Sequence, residues 1–263
     1  MRKLLVVTTM LLIAGAASAA ELTETIDRTI DVKAGASVAL SNVNGRVVIG
    51  SWDQPRVRVV ARKQVNGDRD DVKAALKELR VEIQPKDGGV VISTHYPKRD
   101  EGVASIFDWL LGDHVEAQVR YEITVPRSMN VDASTVNGGI ELSGVNGKLE
   151  LETTNGRIEV ANCAGSLEAS TTNGGIHAEL VRLSKGQPLS FETTNGRIEI
   201  TVPANAAAEI DASTTNGSIH SDLPVATTRT SRNSLRGTIN GGGPSVRLRT
   251  TNGSIDIRTS AKS

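Results

Sequence analysis

Asn137-Gly138-Gly139-Ile140-Glu141-Leu142-Ser143-Gly144-Val145-Asn146-Gly147-Lys148-Leu149-Glu150-Leu151-Glu152-Thr153-Thr154-Asn155-Gly156 is the stretch from which the architecture follows. Asn-Gly occurs at Asn137, Asn146 and Asn155 and, after Ala164-Gly165 in the same phase, again at Asn173, a spacing of nine residues. Within each unit the fourth position holds Ile140, Leu149, Ile158, Leu167 and Ile176, and the sixth holds Leu142, Leu151, Val160, Ala169 and Ala178. Apolar residues two apart are the period of a strand with one buried face.

The corners alternate in kind. Thr153-Thr154, Thr171-Thr172, Thr193-Thr194, Thr214-Thr215 and Thr250-Thr251 precede every second turn, whereas Val145 and Cys163 precede the intervening ones. The full period is therefore about eighteen residues, two strands and two corners. Later copies stand at Asn195, Asn216, Asn240 and Asn252, with the phase loosened by insertions such as 183–187. Asn-Gly is also the strongest hairpin signal, so an antiparallel meander is the rival arrangement. The eighteen-residue memory favours a parallel β-solenoid, of the right-handed β-helix kind, because a coil sets identical corners on top of each other and a meander does not. Strand n then lies beside strand n+2, about 4.8 Å away. In this arrangement Asn137, Asn155, Asn173, Asn195, Asn216 and Asn252 form a structural turn ladder. Their partners Gly138, Gly156, Gly174, Gly196, Gly217 and Gly253 are expected to take positive φ, and the amides to bond along the axis.

Working outward, residues 20–98 read as an amino-terminal capping β subdomain, since a repeat stack needs atypical ends. Val72, Ala75, Leu76 and Leu79 fall at i, i+3, i+4 and i+7, which predicts one short helix near 70–79 with Asp70 and Asp71 at its amino end. Residues 99–118 read as an apolar loop that interrupts the repeat, and 119–263 as the solenoid. Within the loop Ile106, Phe107, Trp109, Leu110 and Leu111 form the most apolar stretch after the amino terminus. It is a candidate partner patch if exposed and a lid over the stack if folded back.

Residues 1–19 have the form of a secretory signal peptide. Arg2 and Lys3 precede an apolar run from Leu4 to Ala14, and Ala17-Ser18-Ala19 offers a small-residue cleavage site. The run is shorter than the roughly 20 residues that cross a bilayer, and no later segment approaches that length. No cysteine near the cleavage site offers a lipid attachment point. Export to a periplasm or the cell exterior is the expectation, without a transmembrane segment after cleavage.

Lys plus Arg equals Asp plus Glu at 30 each, and removing Arg2 and Lys3 leaves 28 against 30, a formal charge of −2. A basic footprint for nucleic acid is missing. The single cysteine, Cys163, permits no intramolecular disulfide and reads as a buried, inert thiol in a corner. Aromatic residues are 2% of the chain, so the core must be built of aliphatic side chains and Thr in thin, regular layers.

The run Val119-Arg120-Tyr121-Glu122-Ile123-Thr124-Val125-Pro126, the Thr-Thr-Asn-Gly copies and the closing Gly237-Thr238-Ile239-Asn240-Gly241-Gly242-Gly243 resemble the bacterial β-strand-repeat family of putative adhesins, a domain of unknown function. The resemblance covers nearly all of the chain beyond the leader and implies an extracytoplasmic β-solenoid. Its motifs describe a scaffold and carry no chemistry, so adhesion is a name borrowed from architecture.

Candidate chemistry is sparse. Glu141, Glu159, Glu199 and Asp256 share one outward strand position with His177 and His220, and a sequence Glu159, His177, Glu199, His220 on alternate coils suggests a shared divalent cation. Zinc, however, needs ligands that converge tetrahedrally, whereas a flat ladder points them in parallel. Alternating His and Glu then serves to relieve stacked like charges. A carbohydrate-active β-helix lyase or hydrolase would need loops with convergent acids and aromatic platforms, and the repeats beyond Tyr121 carry one ring, Phe191. Glu150 and Glu152 are surface charge without a pocket. Paired Thr resemble ice-binding coils, but adjacent Thr-Thr points one side chain in and one out. The sequons at Asn216 and Asn252 are the turn motif itself. The expectation is a non-catalytic exported envelope scaffold or binding module without cofactor or metal, acting on an unknown envelope protein, glycan or the cell wall. Envelope-stress or surface sensing through the 107–111 segment is compatible with it.

Overall fold

The computed structural model describes residues 10–15, 20–67, 69–96 and 115–260. In chain order the first strands are β1 (Met10–Gly15), β2 (Ala20–Asp31), β3 (Ser37–Ser41), β4 (Val47–Trp52) and β5 (Arg56–Gly67). Helix α1 (Arg69–Glu78) follows, then β6 (Arg80–Lys86), β7 (Gly89–His95), β8 (Val115–Pro126), β9 (Asn130–Asn137), β10 (Ile140–Ser143) and β11 (Asn146–Asn155). Beyond these come β12 (Ile158–Asn173), β13 (Ile176–Leu180), β14 (Leu189–Asn195), β15 (Ile198–Val202), β16 (Ala208–Asn216) and β17 (Ile219–Ser221). The last are β18 (Ala226–Ser231), β19 (Ser234–Ile239), β20 (Ser245–Asn252) and β21 (Ile255–Thr259).

The chain is all-β with one helix among the described residues, and its strands wind into a β-solenoid-like body with two faces. Along the first face the hydrogen-bonded order is β4, β10, β12, β13, β15, β21, β17, all parallel. Along the second it is β3, β9, β11, β12, β14, β20, β16, also parallel. Strand β12 serves both, turning from one face to the other near Cys163. Ile140, Ile158, Ile176, Ile198 and Ile255 pair in succession, so like residues stack on like. All five are buried. The one ring in this part of the core, Phe191, stacks between Ala169 and Leu248, where the small alanine makes room for it.

The ends break the parallel pattern. At one, β2 and β8 flank β5 in antiparallel pairing, and β6 pairs antiparallel with β7. Helix α1 closes this end, with Val72, Ala75, Leu76 and Leu79 buried in the common core. At the other end the hairpin β18–β19 lies antiparallel against β16.

Three expectations are corrected. First, the coils do not stack in chain order: the carboxy-terminal coil, β20 and β21, is inserted between β14/β15 and β16/β17. His220 therefore neighbours Asp256 and not Glu199. Second, β3 and β4 are themselves a coil of the stack, paired to β9 and β10, so the ladder runs across the boundary drawn at residue 98. The loop drawn to residue 118 likewise ends sooner, since β8 begins at Val115. Third, Gly138, Gly156, Gly174, Gly196, Gly217 and Gly253 do not adopt positive φ.

Their glycine requirement has another cause, which is close stacking of corner backbones. A Cβ on Gly156 would stand 2.0 Å from the carbonyl oxygen of Gly138, and one on Gly174 would stand 1.9 Å from that of Gly156. The same contact recurs at Gly196 above Gly174 and at Gly253 above Gly196, both at 1.9 Å. No side chain fits there without separating two coils. Gly174→Ala is expected to cost about 1–3 kcal/mol by overpacking, read as a lower midpoint in denaturant titration. The control is Gly50→Ala, where the nearest atom to the new Cβ is the Ser143 hydroxyl at 3.9 Å, and its midpoint should be unchanged or higher.

Candidate binding surface

The corner that follows each second-face strand presents an unbroken spine. Asn137 donates from Nδ2 to Oδ1 of Asn44 at 2.8 Å, Asn155 to Asn137 at 2.8 Å, and Asn173 to Asn155 at 2.9 Å. The chain of amides continues with Asn195 to Asn173 at 2.9 Å, Asn252 to Asn195 at 2.8 Å and Asn216 to Asn252 at 2.8 Å. All ladder residues named from the sequence meet here, and Asn44 joins them. Asn240 does not: its φ is 48° and its amide donates to the Ala206 carbonyl at 2.8 Å, holding a loop at the distal end.

Beneath the amides run the inward threonines. Thr153 donates to the Gly138 carbonyl at 2.9 Å, Thr171 to Gly156 at 3.0 Å and Thr193 to Gly174 at 2.9 Å. Thr250 and Thr214 repeat the bond to Gly196 and Gly253. The same carbonyls that exclude a Cβ are thus the ones the buried hydroxyls satisfy. The outward threonines Thr154, Thr172, Thr194, Thr251 and Thr215 line a shallow strip of about 410 Å³ beside the spine.

On the first face the outward row reads Val48, Glu141, Glu159, His177, Glu199, Asp256, His220. Each charge finds a local partner. Arg46 pairs with Glu141, Arg157 with Glu159 at 3.4 Å, and Arg197 with Asp256 at 3.4 Å. His177 lies 3.6 Å from Glu199 and 3.4 Å from Glu179, while His220 lies 3.0 Å from Asp222. Among the described residues no three His, Cys, Asp or Glu side chains are grouped to hold a metal ion.

Where the antiparallel strands meet the spine, an open groove of about 1020 Å³ forms. Its walls carry Arg46, Arg62, Arg120, Glu116, Glu122 and Gln118, with Asn44, Asn137 and Asn155 along one side. Gln118 donates to Gln64 at 3.1 Å, and Arg62 pairs with Glu122 at 3.5 Å. These residues escape a sequence reading because the alternation in β5 and β8 shows which side chains face outward, but not that the two strands are neighbours. Under the groove Tyr121 hydrogen bonds through its hydroxyl to Thr94 at 2.6 Å, and Tyr96 donates to the Asn44 carbonyl at 3.0 Å. Burial pushes the Tyr121 phenol up to about 12 and raises that of Tyr96 as well.

Cys163 is buried, donates weakly to the Ala161 carbonyl at 3.3 Å, and has its thiol pushed up by burial. That environment disfavours the reactive thiolate. Ile106, Phe107, Trp109, Leu110 and Leu111 lie outside the described residues, as does most of the 1–19 segment. Among the described residues no helix is long and apolar enough to cross a membrane.

The family described as Toastrack DUF4097 matches residues 112–258. Among solved structures, a putative cell adhesion protein from Clostridium sporogenes is similar at 11% identity and a TM-score of 0.52, covering 90% of this chain and 100% of its own. A putative adhesin from Bacteroides fragilis aligns at 14% identity over 90% of this chain and 97% of its own, with a TM-score of 0.40. A putative lipid binding protein from Parabacteroides distasonis aligns at 14% identity over 90% of this chain and 97% of its own, with a TM-score of 0.29. No curated protein matches. The first of these similarities supports the fold alone.

The spine makes a graded prediction. Asn173→Ala removes a bond donated to Asn155 and one accepted from Asn195, whereas Asn216→Ala at the open end removes only the bond donated to Asn252. The interior variant is expected to lose about 1–3 kcal/mol and the terminal one about half as much, compared by urea unfolding. The tyrosines make a second. Their raised phenols favour the protonated form in the fold, so the unfolded chain ionises first and stability falls as pH rises from 10.0 through about 12. Tyr96→Phe/Tyr121→Phe should flatten that alkaline limb in thermal melts, and an equally steep limb in the variant would count against the assignment.

Proposed function

The chain belongs to the Toastrack DUF4097 family, and from that premise we propose that it is a non-catalytic, exported scaffold of the bacterial envelope that binds a surface component by repeated shallow contacts. The observation that carries this reading is the parallel stacking of outward rows. Glu141, Glu159, His177 and Glu199 occupy successive rungs of one position, as do Thr154, Thr172 and Thr194 of another. Side chains held parallel at sheet spacing repeat one weak contact many times, which suits avidity to an extended glycan, cell wall or protein surface. A catalytic centre instead needs groups aimed at one point.

In this proposal about eighteen residues make a regular coil, as the offset between Asn137, Asn155 and Asn173 supports. The leader read in residues 1–19 delivers the chain, and the groove at the proximal end of the spine supplies the least repetitive contact. The neighbour described as a putative cell adhesion protein is consistent with a binding role, and the polar corners and locally paired charges of this chain suit a hydrated, extended polymer of the envelope.

The test is cosedimentation of the purified protein with isolated cell-wall sacculi and with intact cells. Saturable binding is expected, with Arg62→Glu/Arg120→Glu weakening it about tenfold and leaving the melting temperature unchanged. Protein that stays in the supernatant of every fraction, or turnover of a soluble glycan, would overturn the proposal.

A further inference from the structure

The second face carries a charge pattern that arises only from the order of strands in space. Its first outward row reads Asp132, Glu150, Glu168, Ser190, Arg247, Asp211, Arg236, Arg229 across β9, β11, β12, β14, β20, β16, β19 and β18. The second row has Glu152, Ser170 and Glu192 on one side and Arg249 on the other. Both rows change sign between β14 and β20. Asp132, Glu152, Glu168 and Glu192 are exposed, as are Arg229, Arg236, Arg247 and Arg249. Asp211 interrupts the basic half and pairs with Arg236 at 2.9 Å and Arg249 at 3.6 Å, and Glu209 stands outward two residues before it at the end of β16. In the acidic half Lys148 pairs with Glu150.

A flat sheet face with an acidic half and a basic half is complementary to itself. We propose that two copies of this chain associate through this face, related by a two-fold axis that runs along the strands between β14 and β20. The operation sets β14 opposite the partner's β20, β11 opposite β19, and β9 opposite β18. Glu192 then meets the partner's Arg249, Glu150 meets Arg236, and Asp132 meets Arg229. One like-charged meeting results, Glu168 with Asp211, and Asp211 already has two arginines beside it. The contact is isologous, so it closes at a dimer. A soluble polyanion fits less well, because the acidic half of the same face repels it.

Exposed ion pairs are individually weak and are screened within about 10 Å at 0.1 M salt. The dimer is accordingly of modest affinity and opens as salt rises. Glu192 and Arg249 share a strip with the Thr154, Thr172 and Thr194 row, so the association is read by mass and not by ligand capture.

Sedimentation velocity of the purified protein over a concentration series provides the test. A dimer is expected at low ionic strength and a monomer at high. Arg249→Glu and Glu192→Arg should each weaken association at least tenfold, and the two together in one chain should restore most of it, since the pair is rebuilt with reversed sign. Circular dichroism melts check that the variants fold, and the salt dependence of the unsubstituted protein stands without them. A protein that is monomeric at every salt concentration overturns the proposal, as does a dimer indifferent to both single reversals. Arginine-dependent capture of dextran sulfate by a strictly monomeric chain would likewise overturn it, making the basic half a ligand site.

Discussion

The backbone approach at the Thr-Asn-Gly corner governs everything else in the molecule. Where Gly174 rides over the Gly156 carbonyl, there is no space for a side chain, and the bond that carbonyl accepts is part-buried. A buried carbonyl without a partner costs more than a hydrogen bond contributes, so the contact is tolerable only because Thr171 supplies a hydroxyl at 3.0 Å. The Asn amides complete the corner outside that layer, each donating to one neighbour and accepting from the other. Three residue types thus solve one problem: glycine permits the approach, threonine satisfies what the approach buries, and asparagine locks the register. A slip of one residue would break all three at once, which explains why the stack tolerates insertions such as 183–187 between strands but none at this corner.

The ladder has two unlike ends, and the difference follows from the same chemistry. Asn44 turns its amide to the Ala117 carbonyl at 3.2 Å, and the sheet continues beyond it through β8, parallel to β4, and β5, antiparallel to β8, so the proximal end is closed by the chain itself. At the distal end Asn216 donates inward to Asn252, and the covering hairpin β18–β19 pairs with β16 on the second face while its turn accepts a bond from Ile219 of β17 at 3.1 Å. Edges of parallel sheet invite further pairing unless they are short or charged. Here the first-face edge, β17, is a three-residue strand, and β18 is wholly exposed and carries Arg229. Both are devices that stop the stack from growing.

Much of this was legible in the sequence, and the reason is local. The alternation Ile140, Leu142 and the recurrence of Thr-Thr-Asn-Gly report on contacts between residues eighteen apart, because regular coils place such residues on top of each other. The positions Val72, Ala75, Leu76 and Leu79 revealed a helix by the same kind of short-range periodicity. What could not be read was order in space. Asn252 and Asn195 are 57 residues apart and yet adjacent, while Asn195 and Asn216 carry the same motif and do not touch. Identical motifs give identical pairing energies, so nothing in the repeat itself says which copy sits beside which. The choice falls to the flanking segments. The hairpin β18–β19 must lie against β16, and the returning chain then enters on β16's other side. The glycines show a different limit: the motif pointed to positive φ, whereas these positions are constrained by crowding from a neighbouring coil, and crowding has no local signature.

Spatial order also decides what the surface can do. If the coils stacked in sequence, Asp211 would follow Glu192 and Ser190, and the arginines of β20 would lie beyond it. Inserting β20 sets Arg247 and Arg249 directly beside the acidic strands, so that the rows through Glu168 and Glu192 change sign between β14 and β20. On the first face the same insertion places Asp256 between Glu199 and His220, where Arg197 and Arg258 compensate it and its neighbour. One topological choice therefore yields a locally neutralised face and a polarised one. A scaffold built from identical coils has no intrinsic direction along its surface. This chain acquires one from the way it ends, and the polarity lets a repetitive body distinguish its two ends in contact with anything else.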